Sequence, residues 1–195
     1  MKVLLVCIIM FLGLNEIKQQ PISVVYTREE IVIPYEQQIY LAYLEVAKCL
    51  SINNRISVTP EYFATSCLII GWCESGLRID AESNGQQGIP QFTKSTRRLL
   101  GLPKDITSKS FLEQIEYHHK FFLSVDQNLL KEVKTVYDLH MLNFKPFGVR
   151  RSKVSKNNKQ LDINKDNIIN VKDIILFQKR QIKNNKIIKQ MYHGL

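Results

Sequence analysis

The sequence predicts a mainly α protein of α+β type, with at most one short β-hairpin and a helical C-terminal segment. Three observations carry that expectation. Apolar residues recur at helical spacing in six stretches of the chain. Helix-starting chemistry stands where two of these begin, at Thr59-Pro60 and at Ser110 with Glu113. Strand signals are confined to the neighbourhood of Ser83 to Gln91.

In chain order, Met1-Lys2 followed by the apolar run Val3 to Leu14 has the form of an export signal within residues 1–20, too short for a comfortable membrane span. Cys7 lies in that run without the small residues of a lipoprotein site. Helices are expected over Pro34 to Leu50, Pro60 to Cys73, Thr93 to Leu100, Phe111 to Val125, Thr135 to Leu142 and Val171 to Met191. The second is best defined, because Thr59 suits the N-cap, Pro60 the first helical position and Glu61 the positive end of the dipole. Phe63, Cys67, Ile70 and Gly71, widened by Ala64 and Leu68, give it an apolar face. Ser75-Gly76 supplies the exit, since glycine accepts the left-handed conformation that ends many helices.

Glu74 is therefore the last polar group on a buried helix, and Gly88-Ile89-Pro90-Gln91-Phe92 follows after a polar loop. A carboxyl that must hold its proton near neutral pH needs such apolar surroundings, so the layout suits acid-catalysed cleavage of a glycosidic bond. The competing reading is an ordinary surface Glu at a helix C-terminus, which the dipole slightly disfavours.

Glu74-Ser75-Gly76, Ser83, Gly88 to Phe92, Ser95-Thr96 and Leu99-Leu100-Gly101 together resemble the lytic transglycosylase branch of the lysozyme-like superfamily. Leu112 to Tyr117 and Val136 to Met141 resemble phage-borne members, and the likeness spans roughly residues 60 to 150. The resemblance implies that Glu74 is the one catalytic carboxylate and that Ser83, Gln91, Phe92 and Tyr117 line a glycan cleft. It implies attack of the muramic acid 6-hydroxyl on its own anomeric carbon, giving a 1,6-anhydro end without the second carboxylate a hydrolase normally uses. Asp80 and Glu82 are expected on an exposed loop. Met141 to Gly148 stands where cellular members carry A-Y-N-A-G. A lysozyme-type hydrolase, and a virion or envelope-binding protein without turnover, remain alternatives.

A second pattern lies at Leu161 to Asp173. Asp162, Asn164, Asp166, Asn170 and Asp173 put side-chain oxygens at loop positions 1, 3, 5, 9 and 12, with the Ile168 carbonyl at position 7. That is the spacing by which EF-hand or dockerin loops hold Ca2+. Asn167 replaces the usual glycine at position 6 and tolerates the same left-handed turn. Ile169, Ile174, Ile175 and Phe177 supply an apolar frame, so a structural Ca2+ is expected here.

The chain of 195 residues, 45% hydrophobic, suffices for one core, expected over 33–150, and an appendage over 151–195. Residues 145–195 hold 13 Lys and Arg against 3 Asp, which accounts for the whole basic excess. No aromatic interleaving or nucleic-acid motif accompanies that charge, so specific nucleic-acid binding is not expected. The expected partners are bacterial peptidoglycan and, in a phage particle, virion components, with a membrane contact through residues 3–14. The expected location is the bacterial envelope or a virion. Cys49, Cys67 and Cys73 read as buried thiols, and a peptidase pairing Cys73 with His118, His119 or His140 is the rival enzyme class. His118-His119 is expected to place one ring at the surface and one at the core edge.

Overall fold

Left-handed backbone at a few polar positions and side-chain caps at most helix starts define where the elements begin and end. The computed structural model describes residues 33–144, 151–153, 161–163 and 165–194. The stretch read as an export signal, Cys7, Lys145 to Gly148 and Asn164 lie outside the described residues.

The described helices are α1 Tyr35–Ile52, α2 Pro60–Ser75, α3 Lys94–Leu99, α4 Phe111–Ser124, α5 Gln127–Glu132, α6 Val136–Phe144, α7 Val171–Ile182 and α8 Lys186–His193. The mainly α expectation holds. Thr59 caps α2 by accepting from the Tyr62 N–H, and Ser110 with Glu113 forms a reciprocal capping box on α4. Gly76 ends α2 at φ 63°, as its position suggested.

Strands β1 Glu82–Ser83 and β2 Gln86–Gln87 form the expected hairpin. Asn84 and Gly85 both take positive φ, as a two-residue turn matched to strand twist requires. A second ladder was not expected: β3 Arg151–Lys153 pairs antiparallel with β4 Ile168–Asn170, the strand inside the position-1-to-12 loop. Three-residue strands give too short an alternation to read from sequence.

Two further departures concern helices. α5 was not expected: the Asp126 carboxylate accepts from the Asn128 and Leu129 N–H groups and starts a short turn of helix. The helix expected to run unbroken to Met191 divides at Asn185, whose side chain accepts from the Ile188 N–H and caps α8. The break lets Ile182, Ile188 and Tyr192 all reach one core.

α1 lies along α2, and α2 also packs on α6, α7 and α8. Tyr43, Phe63, Leu68, Ile89, Phe122 and Leu130 are enclosed at its centre. The described residues from 33 to 194 belong to one compact unit, the basic C-terminal helices included. Met141, Leu161, Ile169 and Ile174 make a smaller core beneath the loop, joined to the main one through Tyr137 and Phe177. No helix among the described residues is long and apolar enough to cross a membrane.

Candidate active site

Glu74 sits on the last turn of α2, where the helix leaves the core, and its side chain is 19% exposed. Its Oε1 lies 2.6 Å from His140 Nε2, and that imidazole, on α6, is wholly buried. On the far side of the ring, Gln178 Nε2 of α7 lies 2.9 Å from Nδ1. The Phe177 ring closes over His140 edge-on at 5.9 Å. With its NH2 group towards the ring, the amide is matched by a bare Nδ1 and a ring proton on Nε2, aimed at the carboxyl group. Gln178 Oε1 is buried and has no hydrogen-bond partner among the described residues.

The Gly88 to Phe92 turn is latched to the same helix end. Ser75 Oγ donates to the Gly71 carbonyl at 2.8 Å and the Ile89 carbonyl at 3.1 Å. Gln114, fully buried on α4, accepts from the Ile89 N–H through Oε1 and donates through Nε2 to the Ile79, Ile106 and Lys109 carbonyls. A Cβ on Gly88, at φ 73°, would run into Gln114 Oε1, so glycine is required at this turn. Arg97 holds the Phe92 and Gly85 carbonyls from α3.

Of the residues expected to line a cleft, Ser83 is exposed on the hairpin. Gln91 and Phe92 are turned inward instead, because the turn needs them. Gln91 takes φ 51° and donates to the Gly88 and Ala81 carbonyls, and the 3% exposed Phe92 ring packs on His118 and Phe121. Tyr117 is nearly buried on α4 with Lys120 Nζ 5.7 Å from its ring centre, and it makes no hydrogen bond with Glu74. Asp80 and Glu82 are exposed as expected, and Glu82 is engaged by Gln87 at 3.4 Å. Neither bonds to Glu74.

Both His118 and His119 are buried, which corrects the expectation of one surface ring. The reason is partnership across the core: His118 meets the Tyr43 hydroxyl and Asn143 Oδ1, each at 3.0 Å. Asn143 in turn reaches the Pro90 carbonyl at 3.5 Å, joining α6 to the latched turn. No cysteine and histidine bond to one another among the described residues. Burial, then the Glu74 charge, pushes the Cys73 thiol well above its ordinary range, which removes the thiolate that a cysteine peptidase needs.

In the 162–173 loop, Asp162 accepts from the Asp166 and Asn167 N–H groups, and Asp166 accepts from the Ile168 N–H. Asn167 adopts φ 63°, as position 6 requires. Asp173 is fully buried; its two oxygens accept from Ile163 N–H and Asn170 N–H, tying the loop's entry to its exit and capping α7. No group of three His, Cys, Asp or Glu converges to hold a metal among the described residues, which do not include Asn164. The side-chain donors of the loop are hard oxygens only, the donor chemistry that Ca2+ takes, and Asn167 turns in the sense that a Ca2+ loop needs.

Sequence reasoning assigned His140 no part in holding Glu74, and it gave Gln178 and Gln114 no role of their own. Each is a polar residue at a buried register position of a helix, the one signal that marked them. Compared with family models, curated proteins and solved structures, the chain matches none.

Proposed function

We propose that this chain is a peptidoglycan-cleaving muramidase with a lysozyme-like fold, acting as a lytic transglycosylase on the bond between N-acetylmuramic acid and N-acetylglucosamine. The observation that carries the reading is Glu74: a carboxyl at the end of a buried helix, still open to solvent, beside a rigid glycine turn. In this role Glu74, in the form of the Glu74–His140 pair that has taken up one proton more, first protonates the leaving glycosidic oxygen. It then takes the proton of the 6-hydroxyl as that oxygen closes on the anomeric carbon. The exposed positions of Asp80 and Glu82 favour this one-carboxylate route over a two-carboxylate hydrolase. Ser83 on the exposed hairpin remains available to a glycan.

Asp162, Asn164, Asp166, Asn170 and Asp173, with the Ile168 carbonyl, would hold Ca2+. The ion supplies charge compensation and closure of the loop, not a step at the glycan. The expected substrate places the protein in the bacterial envelope or a phage virion.

Digestion of purified peptidoglycan tests the proposal. Wild type is expected to release fragments one water lighter than reducing-end products, and Glu74→Gln to lose at least about 100-fold in rate. Reducing ends alone would assign a hydrolase. Equal turnover by Glu74→Gln would remove Glu74 from the chemistry, and binding without turnover by wild type would make the protein a cell-wall-binding module.

A further inference from the structure

The imidazole beside Glu74 is completely buried, so it reaches no substrate, yet it touches the reacting carboxylate at 2.6 Å. What acts on the ring from behind is Gln178, contributed by the C-terminal segment. A glutamine amide has a donor end and an acceptor end, and each end fixes a different proton count on the ring. With the NH2 group at Nδ1, the ring holds one proton, on Nε2, and offers it to the Glu74 carboxylate. With the carbonyl at Nδ1, one proton sits on that nitrogen and a second is shared between Nε2 and the carboxyl, one more than in the first setting.

We propose that Glu74 and His140 form a single proton-holding unit and that Gln178 is the positioning residue whose amide orientation sets how many protons the unit holds. The unpartnered buried Oε1 of Gln178 is the second setting held in reserve, because turning the amide over exchanges which end is unmet. The unit has few competitors. Cys73 beside it on α2 stays a thiol, and the Tyr137 and Tyr192 hydroxyls bond to each other at 3.0 Å. Asp138, on the same helix as His140, is engaged with the Lys134 and Thr135 N–H groups. From α7, Gln178 and the apolar Phe177 are what faces the ring. The consequence for turnover rests on the glycan-cleaving reading; the proton arrangement does not.

The test is imidazole-detected 15N NMR on the full chain near pH 7, with His140→Gln identifying the signal among the 4 histidines. Wild type is expected to give a single downfield, exchange-protected proton on His140 Nε2 and a bare Nδ1. In Glu74→Gln that proton should lose its downfield shift. In Gln178→Glu a carboxylate replaces the donor behind the ring, and both ring nitrogens should carry protons. A Glu74→Gln spectrum with the ring proton unmoved, or a Gln178→Glu spectrum with Nδ1 still bare, overturns the proposal. Should Gln178→Glu fail to fold by circular dichroism, Gln178→Met is read instead: it removes the donor, and the Nε2 proton should then exchange faster, whereas unchanged protection overturns the proposal.

Peptidoglycan turnover by the Gln178 variants provides the second arm. The rate constant kcat should fall about 10- to 100-fold, with KM within about twofold and the pH profile displaced. The expected ring pattern without turnover in any variant leaves the proton unit standing and removes the glycan reading. Turnover with Gln178→Glu having no effect on either the ring or the pH profile does the reverse.

Discussion

His118 shows how far a single buried residue departs from its behaviour in water. Burial outweighs the hydrogen bond to Asn143 and drives its pKa down to about 3, so the ring is neutral in the folded protein. An unfolded histidine takes up a proton near pH 6.5, and the folded one does not until the pH is close to 3. Between those values the unfolded chain binds more protons, so the contribution of His118 is fully present above pH 6.5 and is lost as the pH falls towards 3. About 3 kcal/mol of pH-dependent stability should separate pH 7 from pH 4 at this one residue. Urea unfolding of wild type and His118→Gln at both values measures it: the gap between the two proteins should narrow by that amount on acidification, and a constant gap would show that His118 titrates freely. None of this was legible in sequence, where His118-His119 is an uninformative pair. Tyr43 and Asn143, which make burial tolerable, lie 75 and 25 residues away.

At the scale of elements, local chemistry was legible and long-range bonding was not. The start of α2 at Thr59, its exit at Gly76 and the capping box of α4 depend on side chains within four residues of one another, and sequence placed all three. The α5 turn, the break at Asn185 and the β3–β4 ladder depend on what the neighbouring elements demand. The Gly88 to Phe92 turn combines both cases: its glycine was visible, but its anchor on α4 was not. Gln114→Leu would leave the Ile89 N–H and up to three carbonyls without their side-chain partner inside the core. A loss of about 3 kcal/mol in denaturant unfolding is expected. A loss below about 1 kcal/mol would mean that water replaces the amide and that the turn is not held by α4.

At the scale of the whole molecule, the charge of the C-terminal segment suggested an appendage, whereas its apolar residues make it part of the main body. Ile182, Ile188 and Tyr192 share the core of α1 and α2. One helix, α7, holds the loop carboxylate Asp173 in its first turn and carries Gln178 against His140. If Ca2+ occupies the loop, EDTA should lower the Tm by several degrees and added Ca2+ should restore it. The same treatment should weaken the exchange protection of the His140 ring proton. A melt unchanged by both additions would count against the metal.

The junction between α2 and α7 also contains Trp72, the single tryptophan of the chain, whose indole N–H donates to the Gln181 carbonyl at 3.2 Å. An indole half-buried against a helix backbone emits at a different wavelength from one released into water. The protein thus has a native fluorophore two residues from Glu74, at the seam where α7 is seated, and separation of that seam can be followed optically in the unlabelled protein.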